Sequence, residues 1–209
     1  MSTSPPPAEP TYADRVFRSP AGMAGGVLLL ALAAWLGGDA LIRGEGLTPW
    51  FAAAIVLIAA PVVVAFTLRP AVFVNDDRVR IRNPFRTITL PWAVVEDVRA
   101  GYSSEIFTKD GTKYQLWAVP VSLRARKRAN RQQMRLARDQ ERGRTPAGGH
   151  PDRAPQAQTD RTIAELRELA AHNAARPAAQ GEPAVRWAYE LAAPAAAGAV
   201  LLAVLLAIR

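Results

Sequence analysis

Three long apolar runs constrain this chain more than anything else in it. The first, "AGMAGGVLLLALAAWLGGDALI", runs from Ala21 to Ile42, and its charge-free core ends at Asp39. The second, "WFAAAIVLIAAPVVVAFTL", runs from Trp50 to Leu68, and the third, "WAYELAAPAAAGAVLLAVLLAI", from Trp187 to Ile208. Each is close to the roughly 20 residues an α-helix needs to cross a hydrocarbon core. Lipid offers no hydrogen bonds, so a crossing segment must satisfy its own backbone, and helix is the default for all three. Trp50, Trp187 and Tyr189 stand at run ends, where interfacial aromatics belong. A cleaved signal peptide is the competing reading of the first run. The 20-residue leader is long for one, Asp39 falls where a cleavage motif needs small residues, and no A-x-A follows. A buried core helix is the competing reading of the third run, but such helices are usually shorter and carry a polar face.

Only "RGEGLTP", Arg43 to Pro49, separates the first two runs, which predicts a helical hairpin with a tiny loop. Charge then orients it. The net charge is +8, and of 26 Lys and Arg residues only Arg15, Arg18, Arg43, Arg69 and Arg209 lie outside residues 70–186. Basic residues collect on the cytoplasmic side. The expected topology therefore puts the leader (1–20) inside and disordered, the hairpin at 21–69, residues 70–176 cytoplasmic, a third span at 185–209 and the C-terminus outside. The pair Gly22-x-x-x-Gly26 would also let two helices approach closely, within the chain or between chains.

Between the spans the pattern changes to period two. "PAVFVNDDRVRIRNP" has an Asn75-Asp76-Asp77 turn cluster between alternating segments and reads as a hairpin. "FRTITLPW" alternates again. "WAVVEDVRAG" is read as either a helical turn or a strand. In "SSEIFTKDGTKYQLWAV", Asp110-Gly111 supplies the positive φ of a tight hairpin turn. These make five or six short strands and an antiparallel sheet or partial barrel over residues 70–120. An arginine-rich stretch follows, which with the linker beyond it (121–158) is expected to be disordered. From Thr159-Asp160 apolar residues recur at helical spacing (Ile163, Leu166, Leu169, Ala170), predicting an amphipathic helix within 159–176 whose apolar face must be buried, the open side of the sheet being the nearest candidate.

Strands closed by one amphipathic helix follow the plan of a pleckstrin-homology-like (PH-like) domain. "RVRIRNPFRTITLPWAVVEDVRA" followed by "DGTKYQLWAV" resembles the bacterial PH domain of the low-molecular-weight protein antigen 6 type, through Leu90-Pro91-Trp92, Val95, Val98 and Asp110-Gly111. The expected fold class is α+β: a bacterial membrane protein with three transmembrane helices and a small PH-like antiparallel sheet or partial barrel closed by one helix. The resemblance implies a fold and a membrane address. It implies no reaction and no ligand, so no site residue transfers. Trp92 reads as core.

No chemistry-bearing motif stands out. Without cysteine, thiolate catalysis, disulfides and cysteine-ligated metals are excluded. Two histidines, His150 and His172, make a poor metal site. Asp76-Asp77 reads as a turn and Glu96-Asp97 as solvated edges, since neighbours on a strand point to opposite faces. The chain is expected not to be an enzyme and to need no cofactor. The candidate contacts are Arg124, Arg126, Lys127, Arg128, Arg131, Arg135 and Arg138, a polybasic stretch suited to anionic lipid headgroups beside the membrane. The plain alternative is a solvated tether. Nucleic acid is disfavoured, because no aromatics interleave for base stacking. Two functions stay open: an adaptor whose domain engages a protein or anionic-lipid partner, and an accessory or assembly subunit that binds a larger membrane complex through its spans.

Overall fold

The computed structural model describes residues 14–121 and 158–208, together with Arg131, Met134 and Arg138. Helix α1 (Pro20–Arg43) starts at an N-cap serine: Ser19 Oγ accepts a 3.2 Å bond from the Gly22 amide, and proline occupies the first turn, where no amide is needed. Gly46, at φ 59°, turns the chain into α2 (Thr48–Val63). Pro61 has no amide to donate, and within a turn of it the helix widens to a π-turn over Val64–Leu68. Thr67 Oγ1 bonds back to the Val63 carbonyl at 2.6 Å across that turn. Helix α4 (Tyr189–Ala207) is the third apolar helix. The three segments are 24, 21 and 19 residues long, enough by length and composition to cross a membrane.

Helix α2 lies between α1 and α4. Glycines make both contacts close: a Cβ on Gly26 would meet Thr67 Cβ at 2.6 Å, and one on Gly198 would meet the Ala54 carbonyl oxygen at 2.9 Å. Of the Gly22/Gly26 pair, Gly26 thus serves packing inside the chain, while a Cβ on Gly22 would meet the Thr67 carbonyl oxygen only at 3.8 Å. Large apolar side chains elsewhere on the helices, such as Leu28, Trp35, Leu36 and Val200, face outward.

The strands form two antiparallel sheets. The first is ordered β1 (Arg15–Phe17), β2 (Ala71–Val74), β3 (Arg78–Arg82), β4 (Arg86–Pro91) and β8 (Ala184–Trp187). The second is ordered β5 (Val95–Ala100), β6 (Ser104–Thr108) and β7 (Lys113–Gln115). The "WAVVEDVRAG" segment resolves into both of its readings: a 3-10 turn at Trp92–Val94 joins the sheets, and β5 follows at once. Gly111 sits at φ 82° in the hairpin turn.

Alternation along the strands fills one core. Val72, Val74, Val79, Ile81, Ile88 and Leu90 from the first sheet face Val98 and Ile106 from the second, all of them buried. Helix α3 (Gln158–Asn173) closes the open side through Ile163 and Leu166 and packs on β5 and the 3-10 turn. Trp92 is fully buried at the centre, with Nε1–H donating to the Asn75 carbonyl at 2.8 Å. Each fully buried side chain of this size contributes about 1.5–3 kcal/mol.

Two boundaries differ from the sequence reading. The leader does not run undivided to residue 20, because Arg15–Phe17 pair with β2, Phe17 lying opposite Val72. The third span does not begin at 185, because Ala184–Trp187 pair with β4, Trp187 lying opposite Arg86. Three or four residues beside an apolar run carry too little pattern to announce a strand. The sheet supplies the partners. Most of the disorder expected at 1–20 and 121–158 falls outside the described residues, but Arg131, Met134 and Arg138 are described and are helical.

Candidate functional site at the sheet–span junction

The first sheet joins the spans at three places. β1 ends at Phe17 and α1 begins at Pro20; the π-turn ends at Leu68 and β2 begins at Ala71; β8 ends at Trp187 and α4 begins at Tyr189. Antiparallel register sets all three on one end of the sheet, together with the β3–β4 turn at Asn83–Phe85. That end carries an aromatic contact into the second span. The Phe66 ring lies edge-on to Phe85 at 5.5 Å and to Trp117 at 5.4 Å. Phe85, Trp117, Trp187 and Tyr189 all keep exposed ring surface at this level, the position of an interfacial aromatic belt.

Arg69 is the hub. Its Nε donates to the Asn83 carbonyl at 3.2 Å, its Nη1 lies 3.1 Å from Glu190 Oε1, and its Nη2 donates to Thr87 Oγ1 at 3.4 Å. One guanidinium thereby ties the second span to the third and to the sheet. Its side chain is only 15 % exposed, which shields the bonds to Asn83 and Thr87, whereas Glu190 is 65 % exposed. Asn83, also buried, braces the turn: Nδ2 donates to the Gln115 carbonyl at 2.8 Å and Oδ1 accepts from the Trp117 amide at 3.4 Å.

The outer face of this sheet is basic. In "RVRIR", Val79 and Ile81 enter the core, so Arg78, Arg80 and Arg82 point away from it. Arg80 and Arg82 flank the Phe73 ring at 4.7 and 5.1 Å from its centroid. Arg80 is paired with Asp14 at 2.8 Å. Arg82 has no carboxylate partner among the described residues. Its own burial, then the nearby charges of Arg69, Arg80 and Arg18, push its pKa below the ordinary arginine value, against the opposing pull of Glu190. It stays charged at any physiological pH. Beside Arg18 a cleft of about 380 Å³, otherwise lined by neutral residues such as Phe17, Val119 and Thr162, opens where Pro120 and Thr159 meet. Thr159 Oγ1 donates to the Pro120 carbonyl at 2.8 Å, so these two residues, 39 positions apart, meet.

Of the polybasic candidates, Arg131 and Arg138 occupy exposed helical positions; Arg124, Arg126, Lys127, Arg128 and Arg135 lie outside the described residues. The junction residues were missed in the sequence, although the period-two arginines of "RVRIR" signalled a basic face. Arg186 joins that face from about a hundred positions away, through β8 alone. At the opposite end of the sheet, charges are paired: Arg15 with Glu165 at 2.9 Å and Arg176 with Asp76 at 3.4 Å. Among the described residues no group of histidines and carboxylates could hold a metal ion. His172 lines a cleft with Glu165, Glu168 and Arg176.

Residues 69–145 match the family model described as bacterial PH domain. The chain carries a bacterial PH domain. The match starts at Arg69, the hub itself, and runs past the last strand of the second sheet into the arginine-rich stretch. β1, α3 and β8 lie outside the match, yet β1 and β8 pair with its strands and α3 packs on them. No curated protein and no solved structure matches the chain. PH domains are in general non-catalytic interaction modules, and this one sits on helices fit to span a membrane.

Proposed function

We propose that this protein is a non-catalytic adaptor, a PH domain held at the cytoplasmic face of a bacterial inner membrane to engage a protein or anionic-lipid partner. The observation that carries the reading is the three-point junction. A domain joined to three spans by linkers of one or two residues is built to hold a fixed position and orientation on the bilayer. The charge asymmetry supports the cytoplasmic side. Arg18, Arg69, Arg82, Arg86 and Arg186 gather at the junction, whereas the loop between α1 and α2 follows Arg43 and contains Glu45. The arginine-rich composition of 124–138 adds positive charge suited to anionic lipid.

A reporter inserted near Gly148 is expected to be active on the cytoplasmic side, and one fused after Arg209 on the outer side. The reverse pattern would overturn the orientation. The accessory-subunit reading keeps one motivation, the outward apolar faces of α1 and α4. Cross-linked pull-downs from native membranes with and without residues 70–175 separate the two. Partner recovery by the spans alone favours the accessory subunit.

A further inference from the structure

We propose that the membrane-proximal row of the outer sheet face, Arg82–Thr87–Arg186 with Arg69 laid over it, is a binding site for the phosphate of an anionic phospholipid in the adjoining leaflet. This inference rests on the reading of the three helices as membrane spans.

Register builds the row. Arg82 lies opposite Thr87, and Thr87 opposite Arg186, so all three share one sheet face. Two strand spacings put the two arginine backbones about 10 Å apart. Arg69 fills the gap: its Nη2 reaches Thr87 Oγ1 at 3.4 Å. The Thr87 hydroxyl accepts that bond and keeps its own proton to donate. Arg18 adds a further positive charge close enough to depress Arg82.

Positive charge is unbalanced at this end of the first sheet. Four guanidiniums face a single carboxylate, Glu190, which is already engaged by Arg69. Arg18, Arg82 and Arg186 have no carboxylate partner among the described residues. Arg69 is nevertheless fixed by three bonds, and Arg82 rests on the Phe73 ring, so the cations are positioned and not merely tethered. Like charges held together disfavour the folded chain unless an anion joins them.

Height decides which anion. Arg18 and Ser19 immediately precede α1, Arg69 immediately follows the second span, and Arg186 lies three residues before α4. The exposed rings of Phe85, Trp187 and Tyr189 mark the interfacial layer beside them. Headgroup phosphates occupy that layer at high local concentration, and basic pockets between span ends on the cytoplasmic side suit them. A planar guanidinium can take two phosphate oxygens at once.

The test uses the full chain in nanodiscs of phosphatidylcholine containing phosphatidylglycerol, with lipids retained by the extracted protein measured by native mass spectrometry. Wild type should retain phosphatidylglycerol over phosphatidylcholine. R82Q/R186Q should lower that preference by roughly tenfold, at about a fewfold per removed arginine. The milder R82K/R186K, which keeps the charge and the fold, should retain most of it. A control that removes two exposed lysines of the β6–β7 hairpin, K109Q/K113Q, should leave it nearly unchanged. Equal preference in R82Q/R186Q and wild type overturns the proposal, as does an equal loss in K109Q/K113Q. Displacement of the retained lipid by millimolar inorganic phosphate would also overturn it, as a site for free phosphate. If the protein fails to enter nanodiscs at all, the membrane reading falls with it. If it enters and shows no lipid preference, only this inference falls.

Discussion

The two sheets share one core but have opposite surroundings. The first sheet has both edge strands and one inner strand running into spans within two residues, and its outer face is crowded with arginines, of which Arg78, Arg82 and Arg186 have no acidic partner among the described residues. No strand of the second sheet runs into a span, and its Asp97 is paired locally, accepting from Arg99 at 2.6 Å and from Arg167 of α3 at 3.0 Å. Paired charges suit a surface turned to water, where little is gained or lost. Unpaired, positioned cations suit a surface that meets an anion. The contrast assigns anchoring and anion contact to the first sheet and closure of the core to the second sheet with α3. It also explains how edge strands are kept from pairing with other chains: β1 and β8 are three and four residues long and end at helices.

The strongest way to break this contrast is W92A. Trp92 links the sheets, and its removal should cost about 3–5 kcal/mol. Hydrogen exchange should lose protection in β3 and β6 together, while the spans remain inserted. Loss confined to one sheet would show two independent bodies in place of one core. Next is Gly198→Leu, whose side chain must enter space already held by the Ala54 carbonyl and Leu57. Overpacking of that kind costs about 1–3 kcal/mol. The chain has no cysteine, so a cysteine pair placed across α2 and α4 reports the contact directly. Its cross-linking yield should fall, with domain protection unchanged.

R69Q removes the tie among span, sheet and Glu190 at a cost of about 1–3 kcal/mol, since the Asn83 carbonyl loses a shielded donor. Spin labels on α1 and β7 should show a broader distance distribution. An unchanged distribution would mean the short linkers alone fix the domain. The smallest effect is expected at Asp97. The hydrogen bond from Arg99 holds its carboxyl below the ordinary value of 3.8, with the Val98 amide and Arg167 adding to it. A lowered folded pKa means the contribution is fully present above 3.8 and is lost as pH falls through the lowered value. Protection of α3, corrected for the intrinsic pH dependence of exchange, should therefore weaken in acid. D97N should show the same loosening at neutral pH, by less than about 1 kcal/mol.

Much of this was legible beforehand because its signals are local. Apolar runs of membrane length, the period-two pattern of "RVRIR" and "RTITL", the Asp110-Gly111 turn and the helical spacing of Ile163 and Leu166 each act within a few residues of themselves. They determined three helices, a β module, a closing helix and a basic chain. The junction was not legible. Arg15–Phe17 and Ala184–Trp187 become strands only because β2 and β4 offer free edges. Arg69 becomes a hub only because Asn83, Thr87 and Glu190, as many as 121 positions away, converge on it. The sequence determined how much positive charge the chain carries. Strand register alone decided which arginines stand side by side at the membrane, because pairing between distant segments depends on shape and burial that no local window records.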